Sequence, residues 1–265
     1  MTTDSIQPWG RSTLSAFLMG GIRRKLIRGD LRKAAFSFLA ARSPTLDIEV
    51  DGLKVRAHFG DNQVERDLIR HGTRDPENIK NITSDLRPGD VFVDIGANCG
   101  LYSLYAARKI GETGRVIAIE PTAEIADRMR ENIALNDFHN IEVVQAAAGD
   151  APGTISIYVH ADNWGQTSAA AQVGETAIEV PAVTIPDIVK QQGVSRIAAL
   201  KADVEGYEDR AILPIIRELP KDVWPRRILL EVQHAYLWAE PCLRLLTEAG
   251  YRFVGPIGED ALLEL

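Results

Sequence analysis

The feature that most constrains the fold is the regular alternation of short apolar runs and helical patterns between residues 91 and 149. The segments 100–110 and 122–136 have helical periodicity. Parallel strands joined by crossover helices are covered on both faces, so the alternation predicts a doubly wound, mostly parallel α/β sheet. Its first strands are VFVDIG (91–96), RVIAIE (115–120) and IEVVQAAAG (141–149).

The alternation pauses after residue 150 and then resumes. TISIYVH (154–160) and AIEVPAV (177–183) predict a β-hairpin inserted at 151–184, with a polar, alanine-rich loop that contains Trp164. Two short strands around Gly258-Glu259-Asp260 are expected to form an antiparallel edge. The other predicted elements after 184 are helices at 186–193, 207–218 and 239–249 and the strands IAALKADV (197–204) and RRILLEVQ (226–233).

Residues 1–45 are predicted to form a basic helical extension, broken near Gly20-Gly21, before a main domain at 46–265 that opens with a hairpin. Residues 1–43 hold eight Lys/Arg and two Asp, which gives this segment a net charge of +6. Because the whole chain has a net charge of −7, the remaining residues carry −13. Ile27, Leu31, Ala35 and Phe38 follow helical spacing. The helix either packs against the main domain or makes weak contact with an anionic membrane surface through residues 11–43.

The overall composition excludes several classes. A net charge of −7 argues against a general nucleic-acid binder. Cys99 and Cys242 have neither disulfide-framework nor zinc-site spacing. The chain has no apolar run of the ~20 residues that a spanning helix needs, and its N-terminus does not resemble a signal peptide. A cytoplasmic location is therefore expected, and the oligomeric state is left open.

A candidate ligand loop follows the first predicted strand, where Gly96 and Gly100 allow a tight turn and close backbone approach. A dinucleotide loop has the spacing G-x-G-x-x-G, whereas G-A-N-C-G lacks the middle glycine that admits a pyrophosphate. Asp94 before the loop suits a cationic ligand, and S-adenosylmethionine carries a sulfonium and an ammonium group. Glu120, at the end of the next strand, is suited to accept hydrogen bonds from ribose hydroxyls. Together these residues predict an S-adenosylmethionine site.

Five segments resemble, in order and spacing, the FkbM-type S-adenosylmethionine-dependent methyltransferases of class I. They are VFVDIGANCGLYSLYAA, VIAIEP, AAAGD, VTIPDIV and LKADVEGYE, and the resemblance runs from about residue 60 to about residue 233. It implies a Rossmann-like sheet of seven strands with an antiparallel last strand, and methyl transfer to a hydroxyl of a sugar, polyketide or other natural product. Asp75 stands where a glutamate is expected.

The resemblance also implies a set of cofactor-binding residues. They divide by the part of S-adenosylmethionine they would hold: Asp94, Gly96, Ala97, Asn98 and Gly100 for the methionine end, Glu120 and Pro121 for the ribose, and Ala147, Gly149 and Asp150 for the adenine. The Asn98 side chain either bonds the cofactor or holds the turn.

Catalytic candidates follow from the need to remove a proton from a hydroxyl acceptor. Asp203 and Glu205 are two residues apart, so on a strand they face the same side, together with Lys201, which can pair with either acid. Asp203 is the first candidate for the base, whereas Glu205 either assists or caps the helix near Tyr207. His234, after the fifth strand, is a further candidate base or a strand-capping residue.

No metal site is expected, because the chain has no recognisable metal-ligand spacing. Asp203, Glu205 and Glu231 do fall at neighbouring strand ends, so a site for a hard cation is an open alternative. The leading hypothesis is an O-methyltransferase acting on a small-molecule, natural-product or saccharide acceptor. Its alternative is a catalytically inactive methyltransferase-like scaffold that docks to a membrane or partner through the basic helix.

Overall fold

The computed structural model of the chain describes residues 10, 13–24, 26–160, 163–168 and 175–265. Parts of the predicted N-terminal extension and of the predicted loop between the inserted strands lie outside the described residues. Within the described part of the chain, no helix has both the length and the apolar character needed to cross a bilayer.

Helices and strands follow one another along the chain as in an α/β protein. The helices are α1 (Thr13–Arg23), α2 (Gly29–Arg42), α3 (Gln63–His71), α4 (Pro76–Thr83), α5 (Leu101–Ile110), α6 (Ala123–Leu135), α7 (Ile185–Gln191), α8 (Glu208–Glu218) and α9 (Cys242–Ala249), with a 3-10 turn at Ala235–Leu237. The strands are β1 (Thr45–Val50), β2 (Leu53–His58), β3 (Val91–Ile95), β4 (Arg115–Ile119), β5 (Ile141–Val144), β6 (Ala147–Ala148), β7 (Gly153–His160), β8 (Asn163–Ser168), β9 (Glu175–Val183), β10 (Ala199–Ala202), β11 (Arg227–Glu231), β12 (Arg252–Ile257) and β13 (Asp260–Glu264).

The main sheet has seven strands in the order β12-β13-β11-β10-β3-β4-β5. β11, β10, β3, β4 and β5 run parallel, whereas β13 is antiparallel to both β11 and β12. This arrangement confirms the predicted Rossmann-like sheet with an antiparallel last strand. The expected antiparallel edge of two terminal strands is also confirmed, with β13 paired to β11 and β12 outermost.

Burial on both faces of the parallel strands explains why the continuous apolar runs become strands. On β3, Phe92 belongs to one buried apolar cluster, whereas Val93 and Ile95 belong to a second one. Successive side chains point to opposite faces of a sheet, so the two clusters are its two covered faces. β3 stands between β4 and β10, where the strand order reverses, and open α/β sheets bind ligands beyond the carboxyl ends of strands at this point.

The inserted segment is larger than a hairpin. β7 and β9 pair antiparallel with Gly153 opposite Ala182, as the sequence predicts. β8 occupies part of the segment expected to be a loop, and β6 pairs in parallel with β9, which gives a second sheet in the order β6-β9-β7-β8. The predicted third strand at 141–149 is therefore divided between β5 in the main sheet and β6 in this second sheet.

The N-terminal helices differ from expectation in two respects. The break lies between α1 and α2, a few residues after Gly20-Gly21, because the Gly20 carbonyl still accepts a helical hydrogen bond from the Arg24 amide. Of the four apolar residues at helical spacing, only Ala35 is buried, and Leu31 is 74% exposed. Met19 of α1 packs in the same apolar cluster as Phe92 of the main sheet. The proposed boundary between 1–45 and 46–265 stays a prediction.

Candidate active site

A cavity of about 570 Å³ opens at the carboxyl ends of β3, β4, β10 and β11. This volume lies in the range of pockets that hold cofactor-sized ligands. The predicted site residues that line it are Gly96, Ala97, Asn98, Glu120, Pro121, Ala147, Lys201, Asp203 and Glu205. Asp94, Gly100, Asp150 and His234 are not among the described residues that line it.

Gly96 has a structural purpose in addition to the one expected. Its φ of 70° lies in the left-handed region, and a Cβ atom there would stand 1.8 Å from the backbone oxygen of Asp203. The amides of Gly96 and Ala97 both donate to the carbonyl of Ile119 on β4. A glycine is therefore required because the loop lies against the end of β10, independently of any ligand.

Gly100 is the N-cap of α5, with a φ of 89°. It is buried, and a Cβ atom there would lie 2.8 Å from the Met129 side chain of α6. Gly100 thus lets α5 and α6 approach each other and lies beneath the cavity.

Glu120 fixes the same loop from β4. Its Oε2 accepts from the Asn98 amide at 3.0 Å, and its Oε1 accepts from the amide and the hydroxyl of Thr122 at 3.1 and 2.7 Å. Burial raises the pKa of this carboxyl, against the effect of those donors. A carboxylate has about four acceptor sites. Glu120 therefore keeps the capacity to accept a further hydrogen bond from a ribose hydroxyl.

Asn98 shows why the loop keeps its shape. It has a φ of 54°, and its Oδ1 accepts from the Cys99 amide and from Asn62 Nδ2, both at 2.7 Å. Asn62 is fully buried and also caps α3, because its Oδ1 accepts from the Glu65 amide. The Asn98 side chain thus holds the turn. The sequence did not indicate the contact with Asn62, whose local pattern predicts only a helix cap.

Lys201 lies between the two acids at the ends of β3 and β10. Its Nζ donates to the Gly96 carbonyl at 2.8 Å and lies 3.4 Å from Asp203 Oδ2 and 3.9 Å from Asp94 Oδ1. Burial acts to lower the pKa of Lys201, but Asp203 and Asp94 outweigh it and raise the pKa. Lys201 is therefore a fixed cation that links the loop to Asp203. Asp94 is fully buried and accepts from the Ser103 hydroxyl at 2.6 Å.

Glu205, His234 and Glu231 form a second polar group at the cavity. Glu205 lies in the left-handed region with a φ of 54°, a conformation that costs a non-glycine residue about 1 kcal/mol or more. His234 Nδ1 lies 3.2 Å from Glu205 Oε2 and 3.6 Å from Glu231 Oε2. Glu205 and Glu231 line the cavity, while the histidine lies behind them.

Glu208, at the start of α8, fixes the turn that precedes this helix. It is fully buried and accepts hydrogen bonds from the amides of Val204 and Gly206 and from Trp238 Nε1 at 2.7 Å. It therefore shapes the turn between β10 and α8. Burial raises the pKa of Glu208, against the effect of these donors. It occupies the last position of the K-x-D-x-E-G-x-E stretch, a signal from which it could have been found.

Part of the cavity wall comes from distant parts of the chain. Asn78 of α4 donates a hydrogen bond to Asp260 of β13, and Tyr102 of α5 lies beside them in the lining. Burial, followed by the nearby Asp203, raises the pKa of Asp260 to about 7. No sequence signal joins Asn78 to Asp260, because 182 positions separate them.

The residues expected near the adenine lie at one end of the second sheet. Ala147 of β6 lines the cavity together with Ile155 and Ile157 of β7, which give this part an apolar lining. Gly149 is buried, with Tyr207 close to it, whereas Asp150 is exposed. The adenine contacts of Ala147 and Asp150 stay predictions.

Comparison with known proteins identifies the family. The model of the methyltransferase FkbM domain matches residues 94–253, more than half of the chain. The chain belongs to this family. It is an S-adenosylmethionine-dependent methyltransferase, and the spare acceptor capacity of Glu120 at the cavity fits the ribose of that cofactor.

Two curated relatives of this FkbM-type methyltransferase align over much of their length. Methyltransferase sdnD of Sordaria araneosa is 24% identical over 181 residues, which cover 56% of this chain and 68% of the relative. The 31-O-demethyl-FK506 methyltransferase FkbM of Streptomyces tacrolimicus is 29% identical over 194 residues, covering 61% and 67%. The chain spans less than two thirds of other curated methyltransferases that it matches, at 17%, 42% and 63% of their lengths. A methyltransferase structure from Geobacter sulfurreducens aligns over 98% of both chains, with a TM-score of 0.44 and 16% identity.

Proposed function

We propose that this methyltransferase transfers the methyl group to a hydroxyl of a small molecule, natural product or saccharide. The observation that carries the proposal is the position of Asp203. Its backbone touches Gly96 of the cofactor loop, and its side chain, 42% exposed, lines the cavity. An acceptor hydroxyl bound there has a carboxylate beside it, next to the loop that would present the cofactor.

The residues around the cavity divide the work of hydroxyl methylation. S-adenosylmethionine, when bound, supplies the methyl group, whose bond to sulfur breaks as its bond to the acceptor oxygen forms. Lys201 holds Asp203, and Asp203 positions the acceptor beside the cofactor loop. Glu205, and not Asp203 as first expected from the sequence, takes the hydroxyl proton as general base, because the cation of Lys201 lies 3.4 Å from Asp203. His234 Nδ1 lies 3.2 Å from the Glu205 carboxylate.

The relatives support an acceptor of this kind. The Streptomyces tacrolimicus relative is named for methylation of an oxygen of FK506, a small molecule. Nucleic acid is not expected as a partner, because the chain has a net charge of −7. A catalytically inactive scaffold is not favoured, because nine of the predicted cofactor and catalytic residues line a single cavity.

Weak membrane contact through the N-terminal helices is part of the same proposal. Phe17, Leu26 and Leu31 are 76%, 77% and 74% exposed, and the neighbouring Arg24 and Arg28 are exposed as well. Exposed apolar side chains among basic ones suit an anionic lipid surface. In vesicle flotation we expect binding to phosphatidylserine vesicles that Leu31→Glu weakens. The matched change Phe253→Glu, on β12, should leave flotation unchanged, and equal behaviour of the two variants would remove the idea.

The first test of the proposed function is a calorimetric titration with S-adenosylmethionine. We expect saturable binding that Glu120→Gln weakens, because Glu120 both fixes the loop and faces the cavity. Asp150→Asn serves as the matched control, since Asp150 is exposed and lies outside the cavity lining. No binding by the folded chain would overturn the proposal.

The second test identifies the atom that is methylated. The protein is incubated with methyl-labelled S-adenosylmethionine and cell extract or a panel of hydroxylated small molecules, and the products are analysed by mass spectrometry. Label on an oxygen atom supports the proposal, whereas label exclusively on nitrogen or carbon contradicts it. Loss of transfer in Glu205→Gln with unchanged cofactor binding is the expected signature of the base.

A further inference from the structure

Three carboxyl groups from separate elements meet beside the cavity. Asp203 follows β10, Glu208 opens α8, and Glu231 ends β11. One oxygen of each lies within 4.8 Å of an oxygen of the other two. Glu208 and Glu231 are buried, and Asp203 is partly exposed toward the cavity.

Glu231 has an unused oxygen at this meeting point. Its Oε1 accepts from the backbone amides of Gln233 and His234, which holds the side chain in one orientation. Its Oε2 accepts no hydrogen bond, although the residue is only 7% exposed. His234 Nδ1, at 3.6 Å, lies beyond hydrogen-bond distance. A buried carboxyl oxygen without a hydrogen-bond partner is unfavourable, so a ligand is expected there.

We propose that Asp203, Glu208 and Glu231 form a binding site for one hard divalent cation, Mg²⁺ or Mn²⁺. Such cations prefer carboxylate oxygens, and Mg²⁺ keeps several waters while binding one or two carboxylates. Asp203 and Glu231 line the cavity and supply the direct ligands. Glu208 acts through a metal-bound water, because both of its oxygens already accept hydrogen bonds from Val204, Gly206 and Trp238.

The nearby lysine is compatible with a cation. Lys201 Nζ lies 3.4 Å from Asp203 Oδ2, and the Asp203 side chain is 42% exposed. Lys201 also lies 3.9 Å from the buried Asp94. The three carboxyl groups therefore outnumber this cation, and a divalent ion would offset the negative charge that they carry when ionised.

The consequence for catalysis rests on the proposed hydroxyl methylation. A cation held by Asp203 and Glu231 would bind the acceptor oxygen at the end of the cavity where Asp203 meets the cofactor loop. It would place that oxygen and withdraw electron density from its O–H bond, so that Glu205, which is not a ligand, removes the proton more easily.

The test measures binding of Mn²⁺ to the chelator-treated full chain, by electron paramagnetic resonance and calorimetry, without cofactor or acceptor. We expect a single saturable site, competed by Mg²⁺, with an affinity at least about tenfold lower in Glu231→Gln. Glutamine keeps the oxygen that accepts from Gln233 and His234 but removes the carboxylate charge. The matched control Glu77→Gln removes one charge from the α4 side of the same cavity and should leave Mn²⁺ affinity unchanged.

Each other result has a defined meaning. Absence of saturable Mn²⁺ binding overturns the inference, and equal weakening in both variants identifies a general negative potential instead of a site. Circular dichroism checks folding, and if Glu231→Gln fails to fold, the partly exposed Asp203→Asn takes its place. The same preparations are titrated with S-adenosylmethionine. Intact cofactor binding without Mn²⁺ binding contradicts the metal site alone. Absence of cofactor binding contradicts the proposed function.

Discussion

Gly96→Ala offers the sharpest test of how the cofactor loop is built. A Cβ atom at residue 96 would stand 1.8 Å from the Asp203 carbonyl oxygen, while real Cβ atoms essentially never approach closer than 3.0 Å. The loop and the end of β10 must therefore separate by more than about an ångström. The left-handed φ of 70° adds strain of about 1–2 kcal/mol for a residue with a side chain. Overpacking against backbone typically adds about 1–3 kcal/mol.

Gly100→Ala is the matched control, because it shares the left-handed backbone and differs in the obstacle. Its Cβ atom would meet Met129, a flexible side chain that can move, at 2.8 Å. We expect Gly96→Ala to lower the free energy of unfolding by roughly 2–5 kcal/mol and Gly100→Ala by about 1–2 kcal/mol. Denaturant unfolding monitored by circular dichroism measures both values.

Cofactor affinity gives an independent measurement of the same geometry. Gly96→Ala displaces the loop from Lys201 and Asp203, so calorimetry should show a much larger loss of S-adenosylmethionine affinity than in Gly100→Ala. Equal destabilisation of the two variants, or a Gly96→Ala protein with wild-type stability and affinity, would refute the claim that Gly96 is required by the backbone of β10.

Three further changes test the contacts around the loop. Asn62→Ala removes the hydrogen bond to Asn98 and the cap of α3. Calorimetry should show about tenfold weaker cofactor binding, and denaturant unfolding should show a free energy of unfolding lower by about 1 kcal/mol. Unchanged cofactor affinity would contradict the role of Asn62. Lys201→Met leaves the buried Asp94 without its cation, so denaturant unfolding should show a free energy of unfolding lower by about 3–5 kcal/mol. Adding Asp94→Asn in a double variant should restore part of that free energy, because the unpaired charge is removed. Burial raises the pKa of Glu65 to about 8, so the folded state holds this proton more tightly than the unfolded state. The free energy of unfolding should therefore fall as pH rises from about 4.5 to about 8, less steeply in Glu65→Gln, and a rise in this window would oppose the assignment.

The fold could be predicted from sequence where local pattern and tertiary environment agree. The β-branched runs at β3 and β4 are buried on both faces, so their hydrophobicity carries the signal for parallel strands directly. β8 gave no such signal, because Asn163–Ser168 is polar and pairs only through its neighbour β7. The break between α1 and α2 was misplaced because glycine weakens a helix without ending it when the backbone hydrogen bonds continue.

The candidate site could be predicted only where its residues follow consecutive strands. Lys201 and Asp203 were expected to pair because residues two positions apart on a strand face the same side, and their contact is present. Asp260 reaches the cavity because β13 inserts between β11 and β12, a pairing that depends on the whole sheet. Close approaches such as that of Gly96 to Asp203 likewise depend on how neighbouring strands lie, which periodicity does not contain.

The contacts of the loop imply a separation between cofactor binding and acceptor choice. Most hydrogen-bonding sites of the Asn98 and Glu120 side chains are used by groups of the protein itself. The loop is therefore preorganised before any ligand binds. A loop that is held in one shape favours one cofactor, and few substitutions of the loop residues are compatible with that shape. The part of the wall with Asn78 and Asp260 comes from a short helix and a terminal hairpin that carry none of the predicted cofactor residues. Acceptor selectivity is therefore expected to reside in that wall, which explains why a recognisable cofactor motif does not disclose the acceptor.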